Sequence, residues 1–176
     1  MNIFATAGAA TGLVIGIIIA VIIFKFTNTN HRIKTEYDER QQVLRGRGYM
    51  YSFYTMVVYE CVMLVLSIGR ITLPAEGFVL HYLGIILGCG VLGVYTVWND
   101  VYWGLNNNRR RYVVIIIVLA VINLLPVIGS FRAGEFLKDG KLSYGFVNLS
   151  CLIFLAIFPL TYLIKKMVGN KAESEE

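Results

Sequence analysis

ATAGAATGLVIGIIIAVIIF, residues 5–24, runs for twenty residues without a charged side chain. At 1.5 Å of rise per residue, such a helix is about 30 Å long, the thickness of the hydrocarbon core of a bilayer. Four more stretches of this kind follow, at residues 48–69, 78–98, 112–129 and 145–164, and only residues 48–69 hold a charge well inside. None alternates polar and apolar residues with the period of a barrel strand. Backbone groups in lipid must be satisfied within their own segment, so each stretch is read as a helix. The expected fold is all-α, a polytopic transmembrane helix bundle of five spans forming a single membrane domain over residues 1–176.

Composition agrees. Of 176 residues, 57% are hydrophobic and 15% charged, whereas soluble domains are about half apolar and about a quarter charged. Once the spans are set aside, the longest remaining stretch is residues 25–47, too short for a soluble catalytic domain. In the fourth span, Asn123-Leu124-Leu125-Pro126 places a proline near the end, which predicts a kink or an early stop. Met1, Asn2, Ile3 and Phe4 carry no basic residue, unlike the start of a signal peptide, so the first span is expected to be a retained helix.

Lysine and arginine counts orient the bundle, since basic residues are kept on the cytoplasmic side. Twelve fall on alternate loops: Lys25, Arg32, Lys34, Arg40, Arg45, Arg47, Arg109, Arg110, Arg111, Lys165, Lys166 and Lys171. Only Arg70, Arg132, Lys138 and Lys141 fall on the others. This predicts an outside N-terminus, a cytoplasmic loop at residues 25–47 and a cytoplasmic tail at residues 165–176, frayed beyond Met167. Tyr49, Tyr51, Tyr54, Tyr95, Trp98, Tyr102, Trp103 and Tyr112 gather where cytoplasmic span ends meet head groups. The net charge of +5 is then a topology signature, and no folded basic surface for nucleic acid is expected. Arg109, Arg110 and Arg111 are expected to contact anionic lipid, the alternative being that they grip a partner protein.

Cys61, Cys89 and Cys151 all lie inside spans without CxxC spacing and read as small apolar fillers. His31 and His81 have no ligand pattern around them, and no dinucleotide, phosphate-loop or hydrolase motif is present, so neither a metal nor a cofactor is expected. Gly8, Gly12 and Gly16 make a strip of small residues on the first span, and Gly84 and Gly88 make another on the third. Both permit close helix packing. On the first span the partner is another helix of this chain or, through a homo-oligomer, a second copy. On the third, which is expected to be central, it lies within the chain.

Glu60 is the one charged residue well inside a span, near its middle. A carboxylate at that depth must be protonated or face a polar partner or water. His81, Asn123 and Asn148, with Ser67 and Ser150, are the other embedded polar residues on the outer half, and together they could line a proton or ion site. The competing reading makes Glu60 a hydrogen-bonded tie between helices.

The segment before the second span, YDERQQVLRGRGYMYSFYT at residues 37–55, reads as helical. Lys34 with Asp38, and Glu36 with Arg40, stand four apart with opposite signs. Gly46 and Gly48 are expected to break that helix at the head-group level. The words Tyr37-Asp38-Glu39-Arg40-Gln41 and Arg45-Gly46-Arg47-Gly48-Tyr49, with the later stretch Trp98-Asn99-Asp100-Val101-Tyr102-Trp103-Gly104-Leu105-Asn106, resemble a group of small bacterial integral membrane proteins with a YDERQ-type segment before the second span. The resemblance implies a bacterial plasma-membrane location and brings no activity, substrate or catalytic residue with it.

Both blocks are expected at the cytoplasmic face, where Asp38, Glu39, Arg40, Arg45, Arg47, Asn99 and Asp100 would form a charge cluster. That cluster is read as a structural lock, a docking surface for a protein partner, or the acids of an enzyme acting on lipid head groups. No nucleophile accompanies the carboxylates, which disfavours the enzyme. The reading is therefore a non-catalytic bacterial inner-membrane protein, bathed in lipid, acting as an interaction or accessory subunit. A small transporter or permease component built on Glu60 is the alternative.

Overall fold

The computed structural model describes residues 3–175, with side chains from 7 to 170. Met1, Asn2 and Glu176 lie outside the described residues, as do the side chains of Ile3, Phe4, Ala5 and Lys171. Each apolar run is a helix: α1 (Ile3–Thr27), α2 (Glu39–Ile68), α3 (Gly77–Trp98), α4 (Arg109–Ala133) and α5 (Tyr144–Glu175). All five are long and apolar enough to cross a membrane.

Four boundaries differ from the sequence reading. Residues 31–38 are not helical, so the spacing of Lys34 with Asp38 and of Glu36 with Arg40 places neither pair on one helix face. The helix begins at Glu39 instead and runs unbroken through Gly46 and Gly48. A Cβ on Gly48 would stand 3.0 Å from Tyr95 Cδ1, so the small residue there serves close approach to α3 rather than a bend. The fourth helix continues past Pro126 to Ala133. Proline removes one N–H donor and its bond, and the turns on either side carry the helix through. The fifth runs on past Met167 and also takes an internal proline, Pro159.

The chain divides into two units. One consists of residues up to Asp38 together with Trp103–Ile115, and the other of Glu39–Tyr102 with the residues from Ile116 onward. In the second unit α3 is central, packed on α2 and on α5. Its buried residues are Val79, Gly84, Gly88, Gly90, Gly93 and Thr96. Gly88 sits against Met56 and the Ser52 carbonyl, and Gly84 against Tyr59, so α2 runs antiparallel to α3. Gly93 sits against Phe158, and Tyr82 Oη lies 2.8 Å from Cys151 Sγ, so α5 runs parallel to it. Glycine at these positions lets backbones approach, as helices in lipid require when dispersion is the main attraction.

The same spacing on α1 has no such neighbour. A Cβ on Gly8, Gly12 or Gly16 would meet nothing within 4 Å, and residues 7–26 are exposed except for half-buried Ile23. Within its own unit the strip on α1 therefore meets no partner.

Between α4 and α5 lies a hairpin, β1 (Leu137–Lys138) and β2 (Lys141–Leu142), which pair antiparallel with Leu137 opposite Leu142. Asp139 and Gly140 form its turn with φ of 52° and 75°, the doubly left-handed geometry that Asp-Gly favours. Leu142 also pairs with Ala75, and its backbone bonds to Pro74 O and Glu76 N. This fastens the hairpin to the loop between α2 and α3. Gly140→Val is expected to loosen the turn by about 1–2 kcal/mol, the cost of a left-handed conformation for a side-chain-bearing residue. Faster amide exchange at Lys141 and Leu142 is the readout, and unchanged exchange would show that the turn does not hold the hairpin.

Candidate functional site

In the first unit, two loops fold onto each other through asparagines. Asparagine carries a donor and an acceptor on one short side chain and suits turns. The fully buried Asn28 donates from Nδ2 to Arg32 O at 2.8 Å and accepts at Oδ1 from Asn107 Nδ2 at 2.7 Å. Asn106 is also buried. Its Oδ1 accepts from Glu36 N at 2.8 Å, and its Nδ2 donates to Lys34 O at 3.1 Å and Asn30 Oδ1 at 3.2 Å. Asn107 Oδ1 accepts from Gly104 N at 2.7 Å. Asn108 Oδ1 accepts from Arg111 N at 3.2 Å and so caps α4. Backbone bonds from Thr29 N to Asn106 O and from Leu105 N to Glu36 O complete the join.

Arg111 reaches back to the last turn of α1. Its Nη1 donates to Phe26 O at 2.9 Å, and its guanidinium lies 5.2 Å from the Phe26 ring centre. A cation there satisfies a terminal carbonyl and complements the helix dipole. Arg109 lies 5.8 Å from the Trp103 ring, which packs edge-on against Tyr112. The buried amides are consumed by internal bonds. Among the side chains that the unit shows outward are Arg32, Lys34, Arg109 and Arg110, beside the acids Glu36 and Asp38, with Ile33 and Leu105 51% and 68% exposed.

The seven residues of the expected charge cluster fall in two units. Asp38 belongs to the first unit and the other six residues to the second. Arg45 joins the entry of α2 to the exit of α3: Nη1 donates to Val101 O at 3.0 Å and Nη2 to Tyr49 Oη at 3.0 Å. Asp100 pairs with Lys165 of α5 at 2.5 Å. Asn99 Nδ2 donates to Tyr95 O at 2.8 Å, within its own helix end. Glu39, Arg40 and Arg47 lie exposed on the N-terminal half of α2.

At the opposite end of α2, the antiparallel packing brings Glu60 to His81. The carboxylate Oε2 and imidazole Nδ1 are 3.0 Å apart, with Oε1 at 3.3 Å. Tyr59 Oη donates to Leu80 O at 2.8 Å beside them. The pair opens onto a cavity of about 580 Å³. Its polar lining is Glu60, Ser67, Thr72, His81 and Lys141, and its walls are Met63, Leu64, Leu66, Ile71, Leu73 and Leu80. Because His81 is the fifth residue of α3, it lies about 6 Å along the axis from the helix start. Glu60 itself stands eight residues before the end of α2 at Ile68, about 12 Å along that axis.

Of the embedded polar residues grouped from sequence, the structure brings Glu60, His81 and Ser67 together. Asn123 instead donates to Leu119 O of its own helix at 2.8 Å, and Ser150 to Val147 O. Asn148, half-buried on α5, does not line the cavity. Lys141 was missed by the sequence reading, although the Asp139-Gly140 turn was a signal that β2 folds back with its lysine. Asn28 and Asn106 to Asn108 were missed as well, and only the density of asparagine flanking Arg109 hinted at them. Comparison with known protein families, curated proteins and solved structures finds no match for this chain.

Proposed function

We propose that this chain is a multi-pass protein of a bacterial inner membrane that acts as a non-catalytic accessory subunit, docking an acidic partner at its cytoplasmic face. The observation that carries this reading is the loop pair of the first unit. Loops that satisfy their backbone internally and still hold aliphatic side chains outward among cations form a pre-built contact surface. Ile33 and Leu105 would supply the apolar contact, and Arg32, Lys34, Arg109 and Arg110 the rim charge. Rim charges steer the encounter and select the partner more than they add affinity.

A photo-crosslinking amino acid at Leu105 tests this in living cells. It is expected to form a defined protein adduct, and Arg109→Gln with Arg110→Gln is expected to cut the yield roughly fivefold, the effect of two rim charges worth about 0.5 kcal/mol each. Glu60→Gln should leave the adduct unchanged. Labelling of lipid alone, or a yield indifferent to the two arginines, would refute the docking surface. Arg45 is unsuited to this test because its bond to Val101 O is part of the fold.

The second reading, a small transporter or permease component, draws on the Glu60 and His81 pair at 3.0 Å, a group able to hold a proton or a cation. It requires a polar route through the bundle, and Asn123 and Asn148 stand apart from the pair.

A further inference from the structure

The cavity between α2, α3 and the hairpin has chemistry that the docking surface does not use, and a ligand bound there would be independent of that surface. Two groups of opposite character face it. Glu60 is an acceptor with room to spare, because an ionised carboxylate offers about four lone-pair sites and the imidazole nitrogen at 3.0 Å occupies one side of it. The side chains of Glu60 and His81 remain 46% and 66% exposed. A carboxylate serving only to tie two helices would be enclosed between them, whereas this one opens to the cavity.

Lys141 is the second group. The Asp139-Gly140 turn and the pairing of Leu142 with Ala75 fix the backbone that carries it. It lines the cavity and has no side-chain partner among the described residues. The rest of the lining is mostly aliphatic, suited to acyl chains.

We propose that this cavity binds a phosphoethanolamine head group, with its ammonium on the Glu60 carboxylate and its phosphate held by Lys141 and His81. The alternatives in a bilayer fit less well. A choline head has no N–H to donate to Glu60, and the cavity is lined by no Phe, Tyr or Trp to hold a quaternary ammonium. A phosphatidylglycerol head brings the phosphate without the ammonium and leaves Glu60 facing like charge.

The test is native mass spectrometry of the full chain released from nanodiscs of dioleoyl phosphatidylethanolamine, phosphatidylcholine and phosphatidylglycerol in equal amounts. Ethanolamine lipid is expected to be retained roughly tenfold over choline lipid, the scale of one charge-assisted hydrogen bond. Glu60→Gln is expected to bring the two to parity while phosphatidylglycerol retention is kept or rises. Lys141→Gln, on an exposed hairpin where folding is not at risk, is expected to lower ethanolamine and glycerol lipids together. Soluble phosphoethanolamine separates the two sources of this head group. Displacement of the lipid at millimolar concentration identifies the free compound as sufficient, and failure to displace identifies the lipid, each consistent with the head-group chemistry. Equal retention of ethanolamine and choline lipids by the unaltered chain, a preference that survives Glu60→Gln, or indifference to Lys141→Gln would overturn the proposal.

Discussion

Asn106→Ala is expected to release the two loops of the first unit from one another. The substitution removes an acceptor from Glu36 N and donors from Lys34 O and Asn30 Oδ1. The side chain is 93% buried, its relative exposure being 7%, so water does not replace these bonds at once. One buried polar group left unpaired costs about 1–3 kcal/mol, and the Glu36 N–H and Lys34 carbonyl both lose their partner here. Hydrogen exchange measured by mass spectrometry should show protection at residues 28–38 and 103–108 falling by about two orders of magnitude, the equivalent of roughly 3 kcal/mol. Asn106→Asp should do no better, since it keeps the acceptor for Glu36 N but sets a carboxylate against Lys34 O and Asn30 Oδ1. Unchanged protection in Asn106→Ala would mean that the backbone bonds alone hold the loops. The photo-crosslink at Leu105 should fall with the protection, because an unfolded loop pair offers no fixed surface.

Gly88→Leu should be the most damaging change within the helices. A Cβ at Gly88 already collides with Met56 and stands 3.2 Å from the Ser52 carbonyl. The methionine can move aside, but the carbonyl belongs to α2 and moves only with the helix. Forcing extra methylenes into such a contact costs about 1–3 kcal/mol, and more when backbones must separate. The displacement would also part Glu60 from His81, which lies seven residues back along α3. Gly12→Leu on α1 is the internal control, since nothing lies within 4 Å of its Cβ. Thermal unfolding in mild detergent should therefore show a marked loss for Gly88→Leu and none for Gly12→Leu. Equal effects would contradict this packing. A loss confined to Gly12→Leu that depends on protein concentration would identify the α1 strip as a contact between copies.

These two substitutions also show what a sequence can and cannot disclose. Gly12 and Gly88 look alike as letters, each among small residues at a spacing of four. Gly88 is pressed against α2 within its unit, whereas Gly12 meets nothing within its own, and the spacing of the letters does not tell the two apart. The asparagines carry the same lesson from the other side. Read locally, Asn106, Asn107 and Asn108 are turn formers before a helix, and Asn108 does cap α4. Their main role depends on residues some seventy to eighty positions away, as in the bond from Asn107 to Asn28, and no local pattern reports such a partner. Arg45 adds a further case, since its guanidinium donates to the Val101 and Tyr102 carbonyls at the exit of α3, partners that its own stretch of sequence does not report.

Glycine and proline were misread where local rules were applied without the neighbours. Gly48 implied a break and instead admits Tyr95. Pro126 implied a kink or an early stop, and of these the stop does not occur: α4 continues for seven residues beyond it, since losing one hydrogen bond does not undo a helix of 25 residues. The Asp139-Gly140 turn is the opposite case, because its left-handed backbone is a property of those two residues and not of their surroundings.

By itself, then, the amino-acid sequence determined the five membrane-length helices and the hairpin turn. Both follow from chemistry confined to a short window: the cost of placing charge or unpaired backbone in hydrocarbon, and the φ angles that Asp and Gly tolerate. The tertiary structure alone decided that α3 is the centre of its unit, that Glu60 finds His81, that Lys141 shares their cavity and that buried asparagines join two distant loops. Each of those depends on which segments meet across the bundle. In helices whose surfaces are apolar on every side, the hydrophobic pattern names no preferred neighbour, and close packing at glycine and a few polar contacts make the choice.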